Sequence, residues 1–314
     1  MAYRDTILAD NPVNYWRLGE LSGNAIDGLG AHNLAWSGSP TYGAGGALVN
    51  DANTAMIFNG VDSIAVKTVS NYRIEDSQGS IEAWFKTSSM EDLGIFSTSD
   101  ESTTMYAFIL YVYKGEVVFG GRTDLIKWDR VQTQGALLAD NTWHHVVAMS
   151  DGSTYKCYID GVQVTLSSIS TSTDTGNPQG RWLNVIGRRD NIVIGGLKRT
   201  SIVTVFDGTI DEVAIYNYPL TPAQVLKHYN SGLDLLKKVS GVVTDSTGAP
   251  VARTVRGYDR STGLLIDETI SDVVTGSYEL TDMTTSSEVQ RIVLADDEAE
   301  GTIYNDIIDR IIPE

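Results

Sequence analysis

Residues 206–225 constrain the fold more than any other part of the sequence, because a strand pattern turns there directly into a helix whose start is signalled position by position. Ile210, Val213, Ala214 and Ile215 predict a strand over 210–216. Thr221 is placed to accept a backbone N–H as the helix cap. Pro222 fills the first helical position, where no donor is needed, and Gln224 is the capping-box partner three residues on. Leu220 and Val225 stand at staple positions, Val225, Leu226 and Tyr229 form an apolar stripe, and Gly232 lies where a left-handed residue would end the helix. The pattern predicts a short helix, the only convincing one in the chain, and the close of a domain near residue 233.

Elsewhere the chain punctuates short apolar runs with turn residues. With 30 Gly against 7 Pro and 42% hydrophobic content over 314 residues, it reads as all-β, with room for one large sandwich and a smaller domain. Strands are expected at 55–58, 81–86, 106–113, 116–119, 143–149, 155–159, 162–165, 183–186 and 210–216. Lys114-Gly115 predicts a hairpin with Phe108, Leu110, Val112, Val117 and Phe119 on a core face, and Ile109, Tyr111, Tyr113, Glu116 and Val118 on a face available for binding. Asp160-Gly161 predicts a second hairpin that puts Cys157, Ile159, Val162 and Val164 on one apolar face, so Cys157 reads as a small core residue. A single cysteine forms no internal disulfide. The polar stretch 166–181 reads as a surface loop too turn-rich for a strand pair.

Several motifs, taken in order, resemble the laminin G-like, concanavalin A-type jelly-roll family. They are Asn14-Tyr15-Trp16-Arg17-Leu18-Gly19-Glu20 with Ser22-Gly23, Phe58-Asn59-Gly60, Ser80-Ile81-Glu82-Ala83-Trp84-Phe85, Thr142-Trp143-His144-His145-Val146-Val147 and Tyr158-Ile159-Asp160-Gly161-Val162, closed by the 207–216 run. The resemblance covers roughly 1–233. After a linker at 234–238, residues 239–251, with Val255-Arg256-Gly257-Tyr258-Asp259, Thr262-Gly263 and Gly276-Ser277-Tyr278-Glu279-Leu280, resemble a small transthyretin-like, carboxypeptidase-regulatory type β-sandwich over about 239–296. The second domain then runs 239–314, its tail from Gly301 serving as a last strand or a partner-docking segment. The expected fold is an antiparallel jelly-roll sandwich with one short helix at its C-terminal end, followed by a smaller β-sandwich. The pairing of the two modules and the ending from Tyr304 to Ile312 resemble virion proteins of tailed bacteriophages.

Charge narrows the partners. The formal net charge is −17, and residues 239–314 hold five Arg against fifteen Asp and Glu, which disfavours nucleic acid. No apolar run reaches spanning length, and the first ten residues lack the apolar core of a signal peptide, so a protein made in the host cytoplasm, without membrane insertion, is expected.

The chemistry is sparse. Jelly-roll glycosidases need two carboxylates flanking the scissile bond, but Asp211 and Glu212 are adjacent and should face opposite ways on a strand, while Glu82 stands among apolar neighbours. His144 and His145 also alternate, and His32 and His228 lack ligand-like spacing, which favours structural histidines over a zinc site. Trp16, Trp84 and Trp143 occupy positions that fill the core in the family resembled. The resemblance implies a structural Ca²⁺ held by Asp27 and Asp211, with Glu20 as a third candidate; the alternative makes Asp27 a turn former and Asp211 a surface residue. Sugar binding needs aromatic faces and planar polar groups, for which Tyr111, Tyr113, Trp128, Arg130, Arg181 and Trp182 are the candidates, packing or a subunit interface being the alternative. The resulting expectation is a non-enzymatic virion surface protein, in a tail fibre or as capsid decoration, that recognises a host cell-surface glycan. It would assemble with other virion proteins and as a homo-oligomer, a trimer being favoured. A decoration protein without a ligand is the alternative, followed by a polysaccharide-cleaving enzyme.

Overall fold

Lys114 and Gly115 take φ of 52° and 79°, and Asp160 and Gly161 take 51° and 78°. Paired positive φ values make mirror-image turns that follow the natural twist of a hairpin. Tyr113 consequently faces Glu116, and Ile159 faces Val162, as the turn residues predict. The computed structural model in which these hairpins are seen describes residues 2–122, 127–169, 178–234, 236–245, 247–258, 265–284, 290–294 and 307–311. The chain divides into two compact units, Ile7–Tyr229 and Met1–Thr6 with Asn230–Glu314.

The larger unit is the expected antiparallel sandwich. Its first sheet runs, in spatial order, Val162–Val164, Tyr155–Ile159, His144–Ser150, Gly79–Lys86, Asp207–Tyr216, Thr54–Asn59 and Thr41–Gly45, with Asn14–Trp16 also pairing to Asp207–Tyr216. The second runs Leu166–Ser168, Trp128–Thr133, Glu116–Arg122, Ala107–Tyr113, Leu93–Ser99, Asn191–Ile194, Ile64–Thr68 and Ala35–Ser37. Between them lies one core, fed by Ile81, Ala83, Phe85, Val146, Cys157 and Ile210 from the first sheet and by Phe108, Leu110, Phe119 and Ile194 from the second. Each such Phe or Ile, fully buried, contributes roughly 1.5–3 kcal/mol relative to exposure. Cys157 is fully buried, and desolvation pushes its thiol far up, out of the reactive range.

The helix Pro222–Gly232 starts as the sequence dictates: the Gln224 amide donates to Thr221 Oγ1 (3.3 Å), and the Thr221 amide donates back to Gln224 Oε1 (2.9 Å). Leu220 and Val225 are buried, but Leu226 is exposed. Gly232 lies inside the helix, and the left-handed residue after it is Asp234, φ 54°.

Four further expectations change. A second helix, Tyr3–Ala9, buries Tyr3, Thr6 and Ile7; its seven residues carry no signal comparable to the one at Thr221. Residues 183–185 form a 3-10 turn rather than a strand, because the buried Arg189 guanidinium gathers the carbonyls of Leu183, Ile186 and Tyr72. Within 166–181, Leu166–Ser168 does pair, with Val131–Thr133, while residues 170–177 lie outside the described residues. Val162 is 65% exposed on the edge strand, although it faces buried Ile159. Strands Leu93–Ser99 and Asn191–Ile194, unmarked in the sequence by alternation, are buried throughout in the middle of the second sheet.

The smaller unit pairs Leu236–Val242 with Ser277–Thr284 and adds a sheet ordered Leu265–Ile270, Thr254–Tyr258, Gln290–Leu294 and Ile307–Ile311. Val239, Val243, Tyr278, Leu280 and Val255 form its core. Ile307–Ile311 supplies the strand at the end of that order.

Candidate functional site

Four of the six residues chosen for sugar binding meet on the outer face of the second sheet. Alternation along Ala107–Tyr113, Glu116–Arg122 and Trp128–Thr133 sends Phe108, Leu110 and Phe119 inward and Ile109, Tyr111, Val118 and Trp128 outward, into a separate apolar cluster completed by Leu197, Val203 and Tyr113. Tyr111 is buried there to 6% exposure, and its hydroxyl accepts from Arg130 Nη1 at 2.8 Å. Tyr111 is thus part of the wall beneath Arg130. Trp128 is half-buried, with the Arg130 guanidinium 5.2 Å and the Arg122 guanidinium 6.0 Å from its ring centroid. Tyr113 is half-buried beside Lys114, whose ammonium lies 5.0 Å from the ring. Gly120, paired with Arg130 in the middle of this face, has φ 144°, and a Cβ there would fall 2.1 Å from the Asp129 carbonyl, so only glycine lets the strands close beneath Arg130.

Arg181 and Trp182 go elsewhere. Trp182 is fully buried between the sheets, edge-on to Phe108 at 4.8 Å, and a Cβ on Gly79 would collide with its indole nitrogen. Arg181 lies 3.9 Å from Asp129, a buried residue that follows Trp128 and so points the opposite way, and its Nη2 donates to Gln179. Both leave the candidate surface for a simple reason: the residues after the 170–177 segment re-enter the core.

The outer face of the first sheet is built differently. Glu82, Trp84, His145 and Tyr216 are buried there beneath the helix 222–232, with Tyr229 stacked on Trp84 at 5.7 Å. His228 bridges Glu82 (Nδ1 to Oε2, 2.9 Å) and Asp10 (Nε2 to Oδ2, 2.8 Å), while the Tyr216 hydroxyl donates to Glu82 Oε1 at 2.8 Å. Burial alone would lower the pKa of His228, but the Glu82 and Asp10 carboxylates outweigh it and raise it to about 9. Burial would likewise raise Glu82, yet His228 carries it far below the usual carboxylate range. The histidine pair divides as alternation predicts: His145 joins this face, and His144 bonds Asp160 (2.8 Å) and Asp140 (3.2 Å). Trp16 is fully buried in the core and Trp84 under the helix, but Trp143 is half-exposed with Lys86 over its ring. The Asp10–His228–Glu82 link was not legible beforehand, since its members are 218 and 146 residues apart.

Asp211 and Glu212 do not sit on opposite sides of a regular strand. A bulge between Asp211 and Ala214 leaves Glu212 as the extra residue at φ 53°, and both carboxyls are buried. Glu212 accepts from Tyr15 and from Arg17 (2.8 Å); burial still pushes it up to about 7 against the pull of Arg17. Burial, and then the Glu212 charge, raises Asp211 well above its ordinary value.

Among the described residues no three His, Cys, Asp or Glu side chains gather as a metal cluster, and the calcium candidates Asp27, Asp211 and Glu20 have different surroundings. Asp27 is occupied with its own loop: Oδ1 accepts from the amides of Tyr15 and Leu29, and Oδ2 accepts from Asn14 Nδ2 and the His32 amide, which fills its four lone-pair positions. Glu20 and Asp211 each differ. Oε1 of Glu20 accepts from Ile26 and Oδ2 of Asp211 from Ala47, but Oε2 and Oδ1 are buried without a hydrogen-bond donor.

Residues 58–226 match the family model described as the concanavalin A-like lectin/glucanases superfamily. Curated proteins give no match to the chain. Among solved structures, a receptor binding domain shares 11% identity over 99% of this chain and 95% of its own, with a TM-score of 0.51. The binding domain of botulinum neurotoxin DC, solved in complex with SialylT, shares 10% identity over 97% of this chain and 95% of its own, TM-score 0.50. The CBM40 of Ruminococcus gnavus IT-sialidase, bound to alpha2,3 sialyllactose, shares 19% identity over 48% of this chain and 80% of its own, TM-score 0.40. At these identities the likeness concerns the fold.

Proposed function

Because the chain belongs to the concanavalin A-like lectin/glucanases superfamily, we propose that its jelly roll is a non-enzymatic carbohydrate-binding module working from the outer face of the second sheet. The observation that carries this reading is the grouping there of Trp128, Arg130 and the wall residue Tyr111, with Tyr113 farther along the same face towards the hairpin turn, an aromatic and planar-cation surface on rigid strands. Its non-enzymatic character is supported by the burial of Glu82, Asp211 and Glu212, carboxyls held by Tyr, Arg, His or backbone groups where a glycosidic bond cannot reach. In the same proposal the protein is a bacteriophage virion surface component, in a tail fibre or as capsid decoration. Its smaller unit would attach to other virion proteins and its jelly roll would face a host glycan, as a homo-oligomer with trimeric symmetry.

The test is binding of the purified chain to bacterial cells and a panel of surface polysaccharides, beside Trp128→Ala and Arg130→Ala. Saturable binding lost in both, with melting temperatures close to the parent, supports the module; no binding to any surface overturns it in favour of a decoration protein without a ligand.

A structural Ca²⁺ belongs to this proposal through Glu20 or Asp211, each of which keeps a buried oxygen without a donor, whereas the oxygens of Asp27 are filled. Added Ca²⁺ should then raise Tm and EDTA lower it, since a ligand of the native state alone must stabilise it; an unchanged Tm removes the ion.

A further inference from the structure

We propose that a cavity at the end of the sandwich, beside the aromatic face, holds one ring of a neutral, hydroxyl-rich oligosaccharide that continues over Tyr113 towards Arg130 and Trp128. This deepens the glycan-binding reading and rests on it. The cavity measures about 260 Å³, just under the roughly 300 Å³ at which pockets for drug-sized ligands begin, which is room for a single ring. Gly60, Ser89, Glu91, Asp92, Thr204 and Asp207 line it. It borders the face directly. Leu93 pairs with Val112 and both enter the core, so Asp92 and Tyr113, one position out, turn together to the outer side. The Lys114 amide donates to the Met90 carbonyl at 3.2 Å, and the amide of Gly94, opposite Tyr111, donates to the Thr204 carbonyl at 2.7 Å. Val203, next to Thr204, packs in the same apolar cluster as Tyr111 and Trp128. Burial raises the Asp92 carboxyl and the Arg130 charge pulls it back, so the two sides of this border feel each other.

The walls of the cavity are tied to one another before any ligand arrives. The Gly60 amide donates to the Phe206 carbonyl (2.9 Å), Thr87 Oγ1 to the Asp207 carbonyl (2.6 Å) and the Ser89 amide to Thr87 Oγ1 (3.0 Å). A Cβ on Gly60, at φ 69°, would stand 2.9 Å from the Asp207 Cβ, so glycine is what brings that backbone against the wall. Walls already in place spare part of the ordering cost of binding. Glu91, Asp92 and Asp207 are exposed, and an ionised carboxylate only accepts hydrogen bonds. Sugar hydroxyls donate, and a hydroxyl bond to a carboxylate is stronger than one between neutral groups. The hydroxyls of Ser89 and Thr204 both donate and accept, which suits ring and glycosidic oxygens. Among the described residues no three His, Cys, Asp or Glu side chains gather as a metal cluster, so these acids are spaced for an organic ligand. A carboxylated or sulfated sugar would bring its charge against three of like sign.

The experiment titrates the full chain with glucan, galactan and mannan oligosaccharides, each beside its form oxidised at the primary hydroxyl to a carboxylate, at low and high salt. We expect a neutral probe to bind with little dependence on salt, and its oxidised form to bind more weakly by about tenfold or more. Asp92→Asn and Asp207→Asn, read on the tightest-binding probe or bacterial polysaccharide, should each weaken binding by about tenfold at unchanged Tm, through the loss of a charge-assisted hydrogen bond. Oxidised forms that bind as well as the neutral ones, or both variants binding like the parent while Trp128→Ala does not, overturn the cavity and leave glycan binding standing. Binding to none of these probes nor to any bacterial polysaccharide overturns both.

Discussion

The two outer faces of the sandwich put charge to opposite uses. On the first sheet Glu82, buried beneath the helix 222–232, and His228, buried on that helix, are bonded in a chain that ends on the half-buried Asp10, so their charges hold the helix to the sheet. On the second sheet Arg122, Arg130 and Arg199 are half-buried at the surface, Arg122 and Arg130 against the Trp128 ring and Arg122 and Arg199 on the Thr104 carbonyl. A buried ionic chain whose members satisfy each other is structure, because any exchange of partner strands a charge without water. Cations whose stems are fixed and whose heads stay wet are suited to recognition.

The contrast breaks most clearly under truncation. Glu82→Ala should cost about 3–5 kcal/mol in denaturant unfolding by leaving His228 buried without its main partner, with ligand binding by the folded fraction unchanged. A loss under about 1 kcal/mol would deny the network its structural role. Trp182→Ala should also cost about 3–5 kcal/mol, as a large side chain is lost from the core, whereas Trp128→Ala should cost under about 1.5 kcal/mol and abolish binding. If the two tryptophans behaved alike, the division between core and surface would fail.

Acidity sharpens the contrast. His228 is raised from 6.5 to about 9 in the folded state, so its contribution is complete below pH 6.5 and is lost as pH climbs through 9. Glu82 is depressed, so its contribution is present above its ordinary 4.5 and is lost as pH falls well below that. Tm should therefore peak between about pH 4.5 and 6.5 from this network, and His228→Gln should flatten the alkaline limb; an unchanged limb in that variant assigns it to other groups. The smallest effect is expected at the helix start, where Thr221→Ala should lower stability by about 1 kcal/mol through the lost cap, read by the urea midpoint.

Much of this was legible in the residues themselves. The helix start at Thr221 and the hairpins at Lys114-Gly115 and Asp160-Gly161 are local devices, in which a turn or cap needs only its own few side chains. The inward and outward faces of 107–122 follow from those turns, which is why Tyr111 and Tyr113 were placed on the outer face; that Trp128–Thr133 pairs beside them and brings Trp128 and Arg130 to the same face had no local signal. The misses are equally physical. Trp182 and Arg181 were judged from a polar flanking segment, but a side chain's environment depends on which sheet it re-enters. Asp211 and Glu212 were assigned opposite faces because alternation holds only until a bulge interrupts it. Asp27 was a reasonable cation ligand until four donors from residues 14, 15, 29 and 32 filled its oxygens.

By itself the sequence determined the all-β class, the turns that set strand register, the capped helix and the burial of Cys157, since periodicity and turn chemistry act over a few residues. Only the tertiary structure decided that His228 completes a link between Asp10 and buried Glu82, that Trp182 fills the core, and that Arg199 and Arg122 share the Thr104 carbonyl. Each of these pairs residues far apart in the chain, and nothing local signals which distant charge or ring will arrive when two sheets close over a common core.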